Sequence, residues 1–302
     1  MTRPTILLLG KNGQAGWALA SRLALIGKLI TWGRHEADLS RPDTLEALLD
    51  TVSPTIIVNA AAYTAVDRAE SEPALAHTIN AEAPAVIARW ASQHGAWFIH
   101  YSTDYVFDGT KSEPYREDDP TAPLNVYGHS KLAGEEAILA SGAPAIILRT
   151  SWVYGLHGHN FLKTMLRLAH ERTELRVVND QIGVPTGTQL IADVTSWIVR
   201  RLIDEGEKTL AGIYHLAPQG QTNWYDYARL VFDVAHRYGA PLALPEDGLQ
   251  PIPTSAYPTP AQRPLHSLLA TEKLMHTFDI SLPPWQDEVE RTTEILVNGW
   301  HR

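Results

Sequence analysis

The feature that most constrains the fold is an alternation of short apolar runs with longer amphipathic segments in the first half of the chain. Five runs are typical of strands buried on both faces: Ile6–Leu9, Lys28–Trp32, Thr55–Asn59, Trp97–Tyr101 and Ala145–Leu148. Helical spacing separates them, over Gln14–Ile26, Pro42–Asp50, Pro73–His94 and Tyr127–Ala140. Strands that alternate with helices across short connections form parallel sheets. The pattern therefore predicts an α/β fold with a doubly wound parallel sheet of the Rossmann type.

The second half of the chain is less regular. Helical segments are predicted at Phe161–Glu171, Gln189–Ile203 and Trp224–Tyr238, and short strands at Leu175–Val178 and Gly212–Leu216. We predict a dinucleotide-binding domain over residues 1–150, to which later segments return, and a smaller, mainly substrate-binding domain over residues 151–302. Seven of the twenty prolines lie in residues 241–264, which indicates either a disordered linker or a long ordered loop over a pocket.

Composition excludes several functional classes for a chain with this fold. The chain has 302 residues and no cysteine, which excludes disulfides, thiolate metal sites and cysteine nucleophiles. A formal net charge of −9 argues against a nucleic-acid-binding surface, which needs clustered basic residues. The apolar runs are far shorter than the roughly 20 residues of a membrane span. We therefore expect a cytoplasmic protein that has neither a nucleic acid nor a membrane as its partner.

A glycine-rich loop follows the first predicted strand. Gly10, Gly13 and Gly16 have the spacing GxxGxxG, and a predicted helix begins within the loop. Glycines there allow a tight turn and a close approach of the backbone to a pyrophosphate, while the helix N-terminus supplies free amides and a positive dipole. An ordinary strand–helix turn could use the same glycines, but in this context the loop predicts a dinucleotide site.

Residues after the second predicted strand bear on which nicotinamide cofactor is used. Arg34 can bind the 2′-phosphate of NADPH. Glu36 lies about 20 residues beyond the glycine loop, where an acid would bind the ribose 2′-hydroxyl of NADH. We favour NADPH and keep NADH as the alternative. Asp38 and Leu39 would suit an adenine pocket.

Candidate catalytic residues lie in two segments. Tyr127 and Lys131 are four apart in a predicted helix, which puts both side chains on one face. An ammonium beside a tyrosine stabilises its phenolate and so lowers the pKa of that tyrosine. Ser102 and Thr103 follow the fourth predicted strand, at the sheet edge where such folds place their ligands, and either hydroxyl could bond a carbonyl oxygen.

Other catalytic chemistries find less support. His157 and His159 have no carboxylate nearby to complete a metal site, so we interpret them as loop histidines. The string around Ser130 does not have the GxSxG pattern of a serine hydrolase.

In this order and at these distances, the glycine loop, the hydroxyls and the Tyr-xxx-Lys pair resemble the extended short-chain dehydrogenase/reductase family. The resemblance covers nearly the whole chain. Within that family, the chain is similar in detail to the sugar-nucleotide reductases. The matching stretches are Gly10–Trp17, Asn59–Asp67, Ser102–Phe107, Pro123–Gly128, Arg149–Tyr154, Asn160-Phe161, Asp180-Gln181, Pro185–Gly187, Thr254–Pro260 and Arg263-Pro264.

The resemblance implies that a hydride from the cofactor reduces the C4 ketone of a nucleotide-linked 4-keto-6-deoxyhexose, which we expect to be dTDP-4-dehydro-L-rhamnose. It implies that Tyr127 donates the proton, that Lys131 lowers the pKa of Tyr127 and holds the ribose, and that Thr103 bonds the C4 oxygen. The resemblance implies cofactor contacts at Asn12, Gly13, Gln14, Asp38, Leu39, Ala62, Tyr63 and Thr64. With the glycine loop, the charge after the second strand and the catalytic pair, the candidate cofactor contacts also include Gly10, Gly16, Arg34, Tyr127 and Lys131. The implied substrate contacts are Thr103, Asp104, Trp152, Asn160 and Arg263, of which the Trp152 indole could pack on sugar C–H groups.

The chain departs from the family pattern at a few positions. His266 replaces an asparagine, and Ala18 and Gln189 stand where some relatives have glutamates that hold a metal between subunits. We therefore expect a monomer or a weak homodimer without a bridging metal.

Two other functions are compatible with the same fold. A sugar-nucleotide dehydratase or epimerase is one, but the dehydratases have Asp-Glu after the threonine, whereas Tyr105 follows Asp104 here. The other is a non-catalytic, cofactor-binding protein like the regulatory subunit of methionine adenosyltransferase. The sugar side of the pocket, Thr150–Trp152 with Asn160-Phe161, favours a reductase over that subunit.

Overall fold

The computed structural model describes residues 3–206 and 208–300. Its strands are β1 (Thr5–Leu9), β2 (Lys28–Trp32), β3 (Ile56–Asn59), β4 (Trp97–Thr103), β5 (Ala145–Thr150), β6 (Val153–Tyr154), β7 (Leu175–Val178), β8 (Ile182–Gly183), β9 (Thr186–Gly187), β10 (Gly212–His215), β11 (Thr222–Asn223) and β12 (Leu249–Ile252). Its α-helices are α1 (Gln14–Leu23), α2 (Leu45–Val52), α3 (Val66–Ala69), α4 (Pro73–His77), α5 (Ala83–His94), α6 (Val126–Ala140), α7 (Phe161–Glu171), α8 (Thr188–Glu205), α9 (Trp224–Arg237), α10 (Glu272–Phe278) and α11 (Trp285–Trp300).

Six parallel strands form the central sheet, in the order β2-β1-β3-β4-β5-β10. The chain moves outward from β1 in one direction to β2 and in the other through β3, β4 and β5. Ligands of such sheets bind outside the carboxyl ends of the strands, next to the strand where the direction reverses. The predicted doubly wound parallel sheet is confirmed, and it places the candidate site above β1, β3 and β4.

Alternation along the strands divides the core between the two faces of the sheet. In β1, Ile6 and Leu8 pack with residues of α1, α8 and α10, whereas Leu7 and Leu9 pack with residues of α2 and α5. Side chains point to opposite faces at every second position, so a strand covered on both faces must be apolar throughout. This is why the predicted strands form unbroken apolar runs in the sequence.

A separate hydrophobic core lies beside the sheet. Helices α7, α9 and α11 contribute to it, together with Leu175 and Val177 of β7 and Leu249 of β12. Strand β12 runs parallel to β7, with Leu249 opposite Leu175 and Ile252 opposite Val178. The proline-rich segment is thus ordered here and supplies a strand that sequence analysis did not predict.

The helix predicted over Pro73–His94 is interrupted by a π-helical turn at Thr78–Glu82. Pro84 has no amide hydrogen to bond the carbonyl of Asn80, so the regular hydrogen-bond pattern of an α-helix is broken at this point. The Asn80 carbonyl instead lies so close to Gly134 of α6 that a Cβ at that glycine would meet it at 2.1 Å.

In the part of the chain described, the helices lack the length and apolar character needed to cross a bilayer.

Candidate active site

A cleft of about 770 Å³ opens at the carboxyl ends of the central strands. Most of the predicted site residues line it: Gly10, Asn12, Gly13, Gln14, Arg34, Asp38, Leu39, Ala62, Thr64, Thr103, Asp104, Tyr127, Lys131 and Trp152. They come from segments far apart in the sequence, and the sheet brings them together because parallel strands end at the same edge.

Gly16 and Tyr63 were predicted as cofactor contacts, but they do not belong to the wall of this cleft. Gly16 lies under the loop, where a Cβ would meet the Gly10 carbonyl oxygen at 2.0 Å. Tyr63 donates its hydroxyl to Glu72 at 2.7 Å, and its backbone N–H donates to the Asn80 side chain at 2.8 Å. Both residues support the walls of the cleft from behind.

Asn160 and Arg263 were predicted as substrate contacts, and they also lie outside the cleft wall. Asn160 caps α7 by accepting a hydrogen bond from the Lys163 amide at 3.0 Å, and it donates to the Gln14 side chain at 2.9 Å. Arg263 makes two hydrogen bonds to the Asp67 carboxylate, at 2.8 and 3.0 Å. Their roles toward a substrate stay predictions.

The glycine loop has the geometry of a phosphate cradle. Gly10 has a φ of +85°, and a Cβ there would lie 2.7 Å from the Ala60 carbonyl carbon and the Ala61 nitrogen. A side chain is therefore excluded by conformation and by space. Helix α1 begins just after Gly13, and in the described structure no side chain caps it there. Its first amides and its dipole are available to an anion.

The charges beside the loop distinguish between the two nicotinamide cofactors. Glu36 accepts hydrogen bonds from Lys11 Nζ at 2.5 Å and from the Gly33 amide at 2.8 Å, and these bonds lower its pKa to about 2. Arg34 is 75% exposed and has a looser contact with Asp38, at 3.5 Å. The acid that would bind a ribose hydroxyl is thus already paired, while an exposed cation stands at the cleft. This arrangement favours a 2′-phosphate.

Tyr127 lies in the first turn of α6, which Asn125 caps by accepting a hydrogen bond from the Gly128 amide at 2.8 Å. Burial raises the pKa of Tyr127 to about 12; the nearby Thr103 hydroxyl lowers it, and the Asp104 carboxylate raises it. At neutral pH the phenol therefore keeps its proton. A protonated phenol next to a hydroxyl can hydrogen-bond a carbonyl oxygen and donate the proton to it.

Lys131 lies one turn further along α6 and is buried. Its Nζ donates to the Tyr101 carbonyl oxygen at 2.6 Å and lies 3.1 Å from Nε2 of His100. Burial lowers the pKa of Lys131 to about 8, and the Glu135 carboxylate acts in the opposite direction. The ammonium thus faces β4 here, and its predicted effect on Tyr127 stays a prediction.

Three buried polar atoms along the cleft have no hydrogen-bond partner among the described residues: Ser102 Oγ, Asp104 Oδ2 and Thr150 Oγ1. Burial raises the pKa of Asp104 to about 7, although the Ser267 and Thr103 hydroxyls lower it. Unsatisfied polar groups are costly inside a protein, so a set of them facing a cleft indicates a polar ligand. Together with the glycine cradle, this donor and acceptor set fits a nicotinamide dinucleotide and a hydroxylated substrate.

Two indoles form the far wall of the cleft. Trp152 has a φ of +45°, which is strained for a bulky residue, and its ring stacks on Trp224 with centroids 3.7 Å apart. Gly183 leaves room for this ring, because a Cβ there would lie 2.7 Å from it. Trp224 also donates to Gln181 at 3.1 Å. The pair forms a fixed aromatic surface against which a sugar ring can pack.

Thr150, which was expected on the sugar side of the pocket, ends β5 at the same edge as Thr103. Asn59 and Trp224 also help to build this site, but they were not predicted from the sequence. Asn59 ends β3 at that edge, so its position directly after an apolar strand is the same signal that identified the hydroxyls of β4. Trp224 carries no such signal, because it starts a helix far along the chain from Trp152.

His157 stacks on Trp17, and His159 lines the cleft. Within the described ranges there is no group of three or more histidine, aspartate or glutamate side chains that could hold a metal ion.

Comparison with known proteins agrees with this geometry. Residues 4–297 match the family model described as "RmlD substrate binding domain". The dTDP-4-dehydrorhamnose reductase of Escherichia coli K12 is 52% identical over 290 residues, which cover 95% of this chain and 96% of that protein. The enzyme of the same name from Burkholderia thailandensis is 49% identical over 286 residues, which cover 93% and 95% of the two chains.

A solved structure is similar as well. The crystal structure of dTDP-4-dehydrorhamnose reductase from Bacillus anthracis in complex with NADP superposes with a TM-score of 0.86, at 33% identity. The match covers 97% of this chain and 99% of that one. The similarity therefore extends over both the sheet and the second core.

Proposed function

Since the chain belongs to the family described as the RmlD substrate binding domain, we propose that it reduces the C4 ketone of dTDP-4-dehydro-L-rhamnose to dTDP-L-rhamnose with NADPH. The observation that carries the proposal is the protonated, half-buried phenol of Tyr127 beside the Thr103 hydroxyl, in a cleft that has a glycine cradle at one end and two indoles at the other. The relatives named above are reductases of this substrate, and one of them was crystallised with NADP.

The proposed mechanism assigns a task to each residue around the ketone. Bound NADPH supplies the hydride. The Thr103 hydroxyl hydrogen-bonds the C4 oxygen, and Tyr127 transfers its phenolic proton to the same oxygen as negative charge develops there. The C4 carbon gains the hydride, the oxygen gains the proton, and Tyr127 is left as a phenolate. The Lys131 ammonium stabilises that phenolate and holds the nicotinamide ribose.

Binding is assigned to the two ends of the cleft. We propose that the loop from Gly10 to Gln14 and the start of α1 hold the pyrophosphate of the cofactor, and that Arg34 binds its 2′-phosphate. Asp104 and Trp152 hold the sugar. The predicted contacts of Asn160 and Arg263 belong to the same proposal, and they require that Arg263 share its charge between Asp67 and the substrate.

The decisive experiment is a kinetic one. Oxidation of NADPH should depend on added dTDP-4-dehydro-L-rhamnose and yield dTDP-L-rhamnose. Oxidised cofactor incubated with dTDP-glucose is the control for the dehydratase alternative, and a 4-keto product there would contradict the proposal. Tight cofactor binding without turnover of either sugar would instead support the non-catalytic alternative.

We also propose a cytoplasmic location and a monomer or weak homodimer. The location follows from the supply of NADPH and nucleotide sugars inside the cell, and cell fractionation tests it. Sedimentation across a range of protein concentrations, with and without EDTA, tests the oligomeric state. A dimer that EDTA dissociates would contradict the proposal.

A further inference from the structure

A row of buried polar side chains connects the third strand to the active-site helix. Asn59 of β3 and His100 of β4 are paired in the sheet register, and Lys131 of α6 lies against the histidine. All three are at most 2% exposed. Buried polar groups of this kind must satisfy one another, so the donors and acceptors along the row determine each other.

A backbone amide determines which groups in this row donate hydrogen bonds and which accept them. The Ala61 N–H donates to Asn59 Oδ1 at 3.1 Å, which leaves the Asn59 Nδ2 group to donate to His100 Nδ1, also at 3.1 Å. Burial, and then the charge of Lys131, keep the pKa of His100 well below its usual value, so the ring is neutral and carries one N–H. With Nδ1 acting as acceptor, that hydrogen is on Nε2, which faces Lys131 Nζ at 3.1 Å.

An N–H that faces an amine nitrogen favours only one of its protonation states. A neutral lysine has a lone pair that can accept the bond from His100, whereas an ammonium has three donors and no acceptor. The Tyr101 carbonyl oxygen accepts one N–H of Lys131 in either state, but it accepts more strongly from the ammonium and so acts in the direction opposite to His100. The imidazole is therefore the neutral group that works against the charged form.

We propose that His100, oriented by Asn59, is a positioning residue that sets the protonation equilibrium of Lys131 and with it the upper pH limit of catalysis. The second part of this statement rests on the proposed reductase function, because it needs an ammonium to stabilise the Tyr127 phenolate. The effect of His100 on the protonation of Lys131 does not depend on that function.

Other charged groups near Lys131 act in known directions. Glu135, one turn further along α6, favours the ammonium. Its partner Arg149 of β5, with contacts as short as 2.6 Å, offsets that carboxylate. The Asp104 carboxylate raises the pKa of Tyr127. The π-helical turn that packs against α6 presents Asn80, whose side chain carries no charge. Removing the N–H of His100 should therefore leave Glu135 less opposed and raise the pKa of Lys131.

The first test measures the histidine tautomer in the unaltered, cofactor-free protein. Long-range ¹H–¹⁵N correlation spectra distinguish an Nε2–H from an Nδ1–H imidazole. We expect His100 to be neutral with its hydrogen on Nε2 between pH 6 and 8. A hydrogen on Nδ1, or a doubly protonated ring, would overturn the proposal without any substitution.

The second test substitutes the histidine. In His100→Gln, the amide can turn its oxygen to the ammonium, so we expect the Lys131 titration in free protein labelled with ¹³C-lysine to move up by about 0.5 to 1 pH unit, the worth of one hydrogen bond. His215→Gln is the matched control. His215 lies in β10 and is as buried as His100, but its ring bonds the Ala270 carbonyl oxygen. An unmoved titration in His100→Gln, or an equal movement in the control, would refute the proposal.

Activity then separates the two parts of the proposal. The basic limb of the kcat/KM profile should move by the same amount as the Lys131 titration. If the titration moves while no variant oxidises NADPH with the keto sugar, the proposed function fails and the coupling stands. If the unaltered protein and His100→Gln are both active, and the basic limb of the profile stays in place although the Lys131 titration moves, the link from Lys131 to the upper pH limit is wrong.

Discussion

The buried ion pair behind the active-site helix allows one prediction to be worked out in detail. Glu135 and Arg149 are 1% and 3% exposed, and their atoms meet at 2.6, 2.9 and 3.2 Å. Glu135→Gln keeps the size of the side chain and one acceptor oxygen but removes the charge. The guanidinium would then lie in the core with its charge uncompensated.

The expected cost follows from that geometry. Breaking a buried pair by removing one partner costs about 3–5 kcal/mol of the free energy of unfolding. Because glutamine can still accept one hydrogen bond from Arg149, we expect the lower end, about 3 kcal/mol. The pKa of Lys131 should also fall further, since Glu135 is the group that opposes the effect of burial on it.

Urea unfolding followed by circular dichroism measures the loss, with Glu136→Gln as the control. Glu136 is the next residue of the same helix and is exposed, so its substitution should change stability by less than about 0.5 kcal/mol. Adding Arg149→Met to Glu135→Gln removes the stranded charge and should recover part of the stability. A loss below about 1 kcal/mol in Glu135→Gln, or no recovery in the double variant, would refute the reasoning.

Three further predictions concern the cleft itself. Burial raises the pKa of Asp104 from 3.8 to about 7, so between those values the folded protein holds a proton that the unfolded chain releases, and the Asp104 contribution lowers stability as pH rises through this window. Asp104→Asn should remove that slope, worth up to about 4 kcal/mol, in unfolding measurements from pH 4 to 7, and an unchanged slope would contradict the assignment. Tyr127→Phe should lower kcat by about 10²–10⁴-fold and leave the Kd of NADPH nearly unchanged, which stopped-flow kinetics and fluorescence titration can check; retained turnover would exclude Tyr127 as the proton donor. Arg34→Ala should weaken NADPH binding about tenfold and NADH binding much less, because only NADPH offers the phosphate that a charged hydrogen bond requires; equal losses in titrations with both cofactors would contradict this.

The central sheet was predictable from sequence because its strands are covered on both faces. That coverage makes runs such as Ile6–Leu9 apolar throughout, and short apolar runs separated by helical spacing are typical of parallel α/β sheets. Strand ends were harder to predict. Strands β4 and β5 continue into Thr103 and Thr150, where the polar residues of the site begin and the apolar signal stops.

The candidate site was partly predictable for a related reason. Tyr127 and Lys131 lie one helical turn apart, so their spacing is local and visible in the sequence. The pairing of Asn59 with His100 depends on the register of two strands, and the stacking of Trp152 on Trp224 depends on the packing of the second core. Contacts of this kind are set by tertiary structure and leave no periodic signal.

The return of β10 to the central sheet also bears on how the chain is synthesised and folds. Every residue of β5 is buried, and one of its two edges is covered by β10, whose residues Gly212–His215 follow the whole of α7 and α8. A nascent chain that ends near residue 150 therefore presents an unpaired apolar edge, which is a template for aggregation. A fragment that ends at residue 150 should therefore not be obtainable as a soluble protein, and on the ribosome we expect the central sheet to be completed only after residue 215 has left the exit tunnel.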